Sequence, residues 1–222
     1  MKSDAILKEQ IMDELDWEPS VDSTRIEVDV KDGIVILSGT VPSYMEKIDA
    51  EKAVKRVDGV KAVVQNIEVK LISAFMRTDE EIAQTALKNI KWNTNVPEDD
   101  IILKVENGWV TLEGKVVWNY QKELAKNAVK GLIGVKGVTN LVKVEPKIQP
   151  ENLKEKIKKA FERNATIDAG NVRVEVIGNK AILKGNVQSW VEKRQAELTV
   201  WSAPGILEVE NKLEIKIALP AS

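Results

Sequence analysis

Acidic runs are the first places in this chain where neighbouring side chains could do chemistry. Glu98-Asp99-Asp100 and Asp13-Glu14-Asp16 each gather carboxylate oxygens of the kind that Ca²⁺ and Mg²⁺ take as ligands. Neither run has the spacing of a ligand loop, and acidic runs beside helix ends are ordinary solvated surface, so no metal site is expected. The chain contains no histidine and no cysteine. That removes the imidazole base, the thiolate nucleophile and the usual zinc ligands together. Neither G-x-x-x-x-G-K nor G-x-G-x-x-G occurs, and Gly131, Gly134 and Gly137 match a phosphate loop only loosely. With no nucleophile beside a base, neither catalysis nor a cofactor is expected.

Binding chemistry is better represented. Lys154, Lys156, Lys158, Lys159 and Arg163 concentrate positive charge on one segment. Near an anionic bilayer each such residue contributes about 1 kcal/mol. Glu151, Glu155 and Glu162 are interleaved, and pairs four residues apart would also suit a solvated helix face. There are six tryptophans. Trp118, Tyr120, Trp190 and Tyr44 fall where a strand hands over to a helix, a place for a bilayer-interface or peptide-groove contact, or for a staple on the helix start. Trp109 falls on the outward phase of its strand with Ile36, so the outer sheet faces are expected to pack between modules or on a partner. Trp17 and Trp92 follow two equivalent helices, where size predicts a core or lid role.

The elements that position these residues come from a repeat. Gly39, Gly114 and Gly185 are 75 and then 71 residues apart. In each copy a second glycine follows 20 residues later (Gly59, Gly134, Gly205), then an amide six beyond it (Gln65, Asn140, Asn211). A period of that length suits a small domain with its own core. Each copy opens on a one-sided apolar stripe at helical spacing: Ile6, Leu7, Ile11, Leu15, then Ile82, Ala86, Leu87, Ile90, then Leu153, Ile157, Ala160, Phe161. Thr78 and Glu81 form a capping box, and Pro150 and Glu151 are expected to start the third helix. Alternating strands follow, separated by Asp32-Gly33, Asn107-Gly108 or Gly178-Asn179, pairs suited to a tight hairpin. The repeated Gly39, Gly114 and Gly185 face the core side, where a crossing helix is expected to leave no room for Cβ. A second helix presents small residues such as Ala50, Ala53 and Val54, with Gly59 and its equivalents expected as left-handed helix stops. A last strand ends each copy, carrying for instance Ile67 and Val69, or Leu213, Ile215 and Ile217.

The fold class is therefore α+β: three tandem α-β-β-α-β modules, each a three-stranded sheet with two helices on one face, over 1–73, 74–148 and 149–222. Short connections (72–77 and 146–149) favour modules that touch. Lysine plus arginine against aspartate plus glutamate is 10 to 15, 11 to 10 and 12 to 10 across the modules, nets of −5, +1 and +2 that sum to −2. No module has the basic excess of a nucleic-acid binder. No apolar run approaches the roughly 20 residues of a membrane span. With no leader pattern after Met1, a complete chain would be expected in the cytoplasm, and a chain whose leader was removed in the periplasm.

Leu-x-Gly-x-Val, an alanine-rich helix face, Gly-Val and then Val-x-Asn before a last strand resemble the BON domain, in three copies over residues 4 to 217. Gln65 (with Asn66 beside it) stands at the usual asparagine, Asn179 at the turn glycine, and Pro204 precedes the third Gly. The resemblance implies a non-catalytic module that binds phospholipid membranes or envelope and stress-response partners, through weak multivalent contacts. On that expectation Lys154, Lys158, Lys159, Arg163, Trp118, Tyr120, Trp190 and Trp109 are the candidate contacts with an anionic phospholipid surface or another protein. A scaffold that binds proteins and has no lipid affinity is the alternative.

Overall fold

The computed structural model describes residues 3–145 and 152–216, apart from the Glu98 side chain. In the first module, helix α1 (Asp4–Trp17) begins where the Ser3 hydroxyl accepts from the Ile6 N–H, and it buries Leu7, Ile11 and Leu15. Strands β1 (Ile26–Lys31) and β2 (Ile34–Val41) form an antiparallel hairpin. Its turn residues Asp32 and Gly33 both have positive φ, 54° and 80°, which lets the turn follow the right-handed twist of the strands. Helix α2 (Tyr44–Arg56) crosses back over the sheet, and β3 (Ala62–Val69) pairs parallel with β2, giving the order β1-β2-β3.

The second module repeats this with α3 (Asp79–Trp92), β4 (Ile101–Glu106), β5 (Trp109–Val116) and α4 (Asn119–Lys130). The Thr78–Glu81 capping box is formed. Its last strand is interrupted into β6 (Gly137–Asn140) and β7 (Lys143–Val144), which both pair with β5 in one register: Trp109 opposes Gly137 and Lys115 opposes Lys143. The third module has α5 (Leu153–Glu162), β8 (Val172–Ile177), β9 (Lys180–Val187), α6 (Trp190–Trp201) and β10 (Glu208–Ile215), ordered β10-β9-β8. Pro150, Glu151, Ile217 and the connection 146–149 lie outside the described residues.

Each module has its own core, with residues from both helices and all strands. Alanines 50 and 53, Ala125 and Ala196 are fully buried, so the second helices lie close on their sheets.

Two expectations about glycine are corrected. It is not a crossing α-helix that excludes a side chain at Gly39, Gly114 and Gly185. A Cβ there would stand 2.1, 1.9 and 2.0 Å from the carbonyl oxygens of Arg25, Asp100 and Asn171, just before the neighbouring strand, at φ near +125°. Gly59, Gly134 and Gly205 do have positive φ, but they lie in the loop beyond the helix caps Val57, Gly131 and Ser202. They steer the chain into the last strand rather than stop the helix.

The repeated amide has a structural use in all three copies. Gln65, Asn140 and Asn211 donate to the carbonyls of Lys47, Lys122 and Lys193 on the second helix. Their side-chain oxygens accept from the N–H groups of Ile67 and Leu213 on the last strand, and of Val142 in the break between β6 and β7. One amide thus ties helix to strand, with donor and acceptor both used. A second tie joins helix to hairpin: Asp4 accepts from Asp32 N–H, and Asp79 from the N–H groups of Asn107 and Gly108.

Candidate functional site

Buried carboxylates are the usual mark of an acid–base site, and among the described residues there are two, Glu46 and Glu192. Both are consumed by the fold. Glu46 accepts from the Asp22 N–H at 2.9 Å, and Glu192 from the N–H groups of Asp168 and Gln188 at 3.0 and 2.8 Å. Gln121 at the same repeat position accepts from Val117 and Trp118 N–H. Glu14, from the first acidic run, joins Glu18 in holding Arg56, which binds α1 to α2. Among the described residues no group of three or more carboxylates is placed to hold a metal ion.

What the fold does build is a meeting of the three second helices. Tyr44 and Trp190 occupy one repeat position, the first residue of α2 and of α6. Each leaves its own module. The Trp190 indole N–H donates to the Val60 carbonyl at 3.0 Å and its ring packs on the first core, with the amines of Lys55 and Lys193 at 5.0 and 5.5 Å from its centre. Tyr44 packs on the second core. Burial raises the pKa of its phenol, and the facing Val138 backbone offsets part of that rise. Trp201, at the far end of α6, packs on the second and third cores together. Each module therefore touches the other two, and the chain closes a triangle.

At the centre of that triangle is a cavity of about 660 Å³ lined by α2, α4 and α6. Seven of its lining residues are basic and three acidic, in a chain whose net charge is −2. Burial is the main cause that lowers the pKa of the Lys130 amine, followed by the like charges of Lys52 and Lys126. Burial likewise lowers that of Lys122, about two turns earlier on α4 and outside the cavity lining, with Lys126 adding to the effect.

The sequence-derived candidates divide between inside and outside. Lys154, Lys158, Lys159 and Arg163 are exposed along and just after α5. Trp118 and Tyr120 are exposed at the start of α4, whereas Trp190 is engaged between modules. Trp109 lies half exposed on the outer sheet face, its N–H bonded to the Thr139 hydroxyl and its ring laid over Gly137, where any Cβ would strike it. Ile34, Ile36 and Val64 are exposed on the outer face of the first sheet, since the modules meet through helices and not through these faces.

Trp17 and Trp92 overturn the expectation of a core role: they are 84% and 78% exposed. The buried stripes end at Leu15 and Ile90, and two residues further on a helix points the side chain to the opposite side. The alignment of the repeats puts Arg163 at the same position. The central cavity itself escaped sequence reading, because its charges come from helices about 70 residues apart. The signal in the sequence was the recurrence of basic residues at the inner positions of the second helices, Lys55 and Lys130 among them.

Comparison with known proteins agrees with the architecture. The sequence profile of the BON domain matches residues 3–70, 78–146 and 150–217. The Osmotically-inducible protein Y of Escherichia coli (strain K12) is 30% identical over 132 residues, 57% of this chain and 65% of that protein. The match thus spans a little under two thirds of that relative. Two solved structures of CdsD, a structural protein of the type III secretion system of Chlamydia trachomatis, align over 97% and 96% of this chain and 99% and 93% of theirs. Their identities are 17% and 16% and their TM-scores 0.26 and 0.27, too low to carry an argument about arrangement. No helix among the described residues is long and apolar enough to cross a membrane. Matched in three copies over nearly its whole length, this chain belongs to the BON domain family.

Proposed function

We propose that this is a non-enzymatic protein of the osmotic-stress type that docks weakly, through several points at once, on anionic phospholipid surfaces. The observation that carries the reading is the exposure of two repeated positions along and just after the three first helices. At one repeat position stand Trp17, Trp92 and Arg163, and at another Met12, Leu87 and Lys158, all exposed. Indoles favour the headgroup level of a bilayer, and lysine and arginine are drawn to its anionic charge. Lys154 and Lys159 on α5 add to the cationic end of this surface. Contacts of this kind are weak singly, but on one rigid body they act together when their geometry allows simultaneous engagement. Trp118 and Tyr120 on α4 are a further exposed aromatic pair available to the same surface.

Co-sedimentation at low salt tests this, with phosphatidylglycerol vesicles against phosphatidylcholine vesicles. The protein should pellet with the anionic vesicles and be released by salt. Replacing Lys154, Lys158 and Lys159 by Glu should abolish the pelleting, and Trp17→Ser with Trp92→Ser should weaken it. The competing reading is a protein-binding scaffold without lipid affinity, favoured by the exposed Ile34, Ile36 and Val64. A chain that fails to pellet with anionic vesicles at low salt decides for that reading.

A further inference from the structure

We propose that the cavity at the centre of the triangle is a binding site for a small oligophosphate anion, separate from the outer surface that meets lipid. Three cations there have no ion-pair partner among the described residues: Lys126 and Lys130 of α4 and Arg194 of α6. The other bases are already committed. Lys52 pairs with Asp49, Lys55 with Glu51, Arg56 with Glu14 and Glu18, and Lys193 donates to the Leu213 carbonyl. Of the three lining carboxylates, Glu51 holds Lys55 and Glu197 accepts from the Asn211 amide, which leaves Glu123 against three cations.

Folding thus brings like charges to one lining: the Lys130 pKa is lowered first by burial and then by the neighbouring charges of Lys52 and Lys126. A multiply charged anion relieves that repulsion by bridging cations that belong to two modules. Ile48 and Val191 on the walls keep part of the surroundings apolar, which strengthens each charge-assisted contact. The size favours a small molecule over a membrane. A cavity of about 660 Å³ falls within the roughly 300–1,000 Å³ typical of small-ligand sites, and a flat bilayer does not enter a concavity between three helices. A phosphate-bearing headgroup pulled free of the surface and a soluble oligophosphate present the same chemistry to it.

Isothermal titration of the full chain with sodium tripolyphosphate, at constant ionic strength, tests the site. The expected result is saturable binding near one anion per chain. The variant carrying Lys126→Gln, Lys130→Gln and Arg194→Gln should bind at least about tenfold more weakly. Lys154→Glu with Lys158→Glu, on the outer surface, should leave the affinity unchanged. If the triple variant fails to fold, the wild-type protein still decides the matter by NMR. Tripolyphosphate should shift the indole N–H resonance of Trp190, which lines the cavity, and leave those of Trp17 and Trp92 in place. Unsaturable heats, or shifts confined to Trp17 and Trp92, overturn the proposal. A vesicle arm separates the sources. Phosphoinositide-containing vesicles that lose the protein to added tripolyphosphate identify a headgroup as the natural anion, and vesicles insensitive to it identify a soluble one.

Discussion

Single residues set what each module tolerates. At Gly39 an added methyl group would meet the Arg25 carbonyl at 2.1 Å, on a backbone at φ +125° that L side chains rarely adopt. Gly39→Ala should therefore cost about 3 kcal/mol or more, seen as an early melting step by calorimetry, and Gly114→Ala and Gly185→Ala should do the same to their own modules. Gly178→Ala, which meets nothing within 4 Å but sits at φ +58°, should cost only about 1 kcal/mol. Charge has residue-scale consequences too. Hydrogen bonds from Lys212 and Lys180 hold the Glu210 carboxyl at a pKa of about 2. Since this folded value lies below the ordinary one of 4.5, the ion pairs contribute fully above that pH and are lost as the pH falls through about 2. Carboxyl ¹³C shifts followed during acid titration should show Glu210 among the last groups to protonate; protonation near 4.5 would mean that the pairs do not persist in solution.

At the scale of elements, the order of helices and strands could be read from the chain because the local cues agree with one another. Apolar period, Thr78 and Glu81 at a helix start, and Asp32-Gly33 at a hairpin all point to one fold. Reading failed where a residue's role is set by a different module. Tyr44, Asn119 and Trp190 share one repeat position but not one residue type, so the inter-module joint left no repeated motif. Trp17 was misplaced for another reason: size suggested burial, while two residues of helix past Leu15 turned it outward. The joint can be tested directly. Trp190→Ala removes the bond to the Val60 carbonyl, the ring's packing on the first core and its contacts with Lys55 and Lys193. It should cost roughly 2–3 kcal/mol. Trp190→Phe, which loses mainly the N–H donor, should cost about 1 kcal/mol. Equal losses in the two variants, measured by urea unfolding, would show that the indole N–H carries the joint.

For the whole molecule, three separate cores and a closed set of contacts predict a compact particle. Small-angle scattering should give a radius of gyration of about 17–19 Å, as expected for a compact chain of 222 residues. A value well above about 25 Å would mean modules strung apart, and with them the loss of the central cavity. The triangle also has a consequence for behaviour in concentrated solution. The face of the first module that receives Trp190 is filled by the chain's own third module, at the high local concentration that tethering provides. Should the third module swing away, that vacated face would accept the same indole from another molecule. Partial unfolding at high protein concentration would then yield exchanged dimers and longer open chains, built from the very joint that keeps the monomer closed.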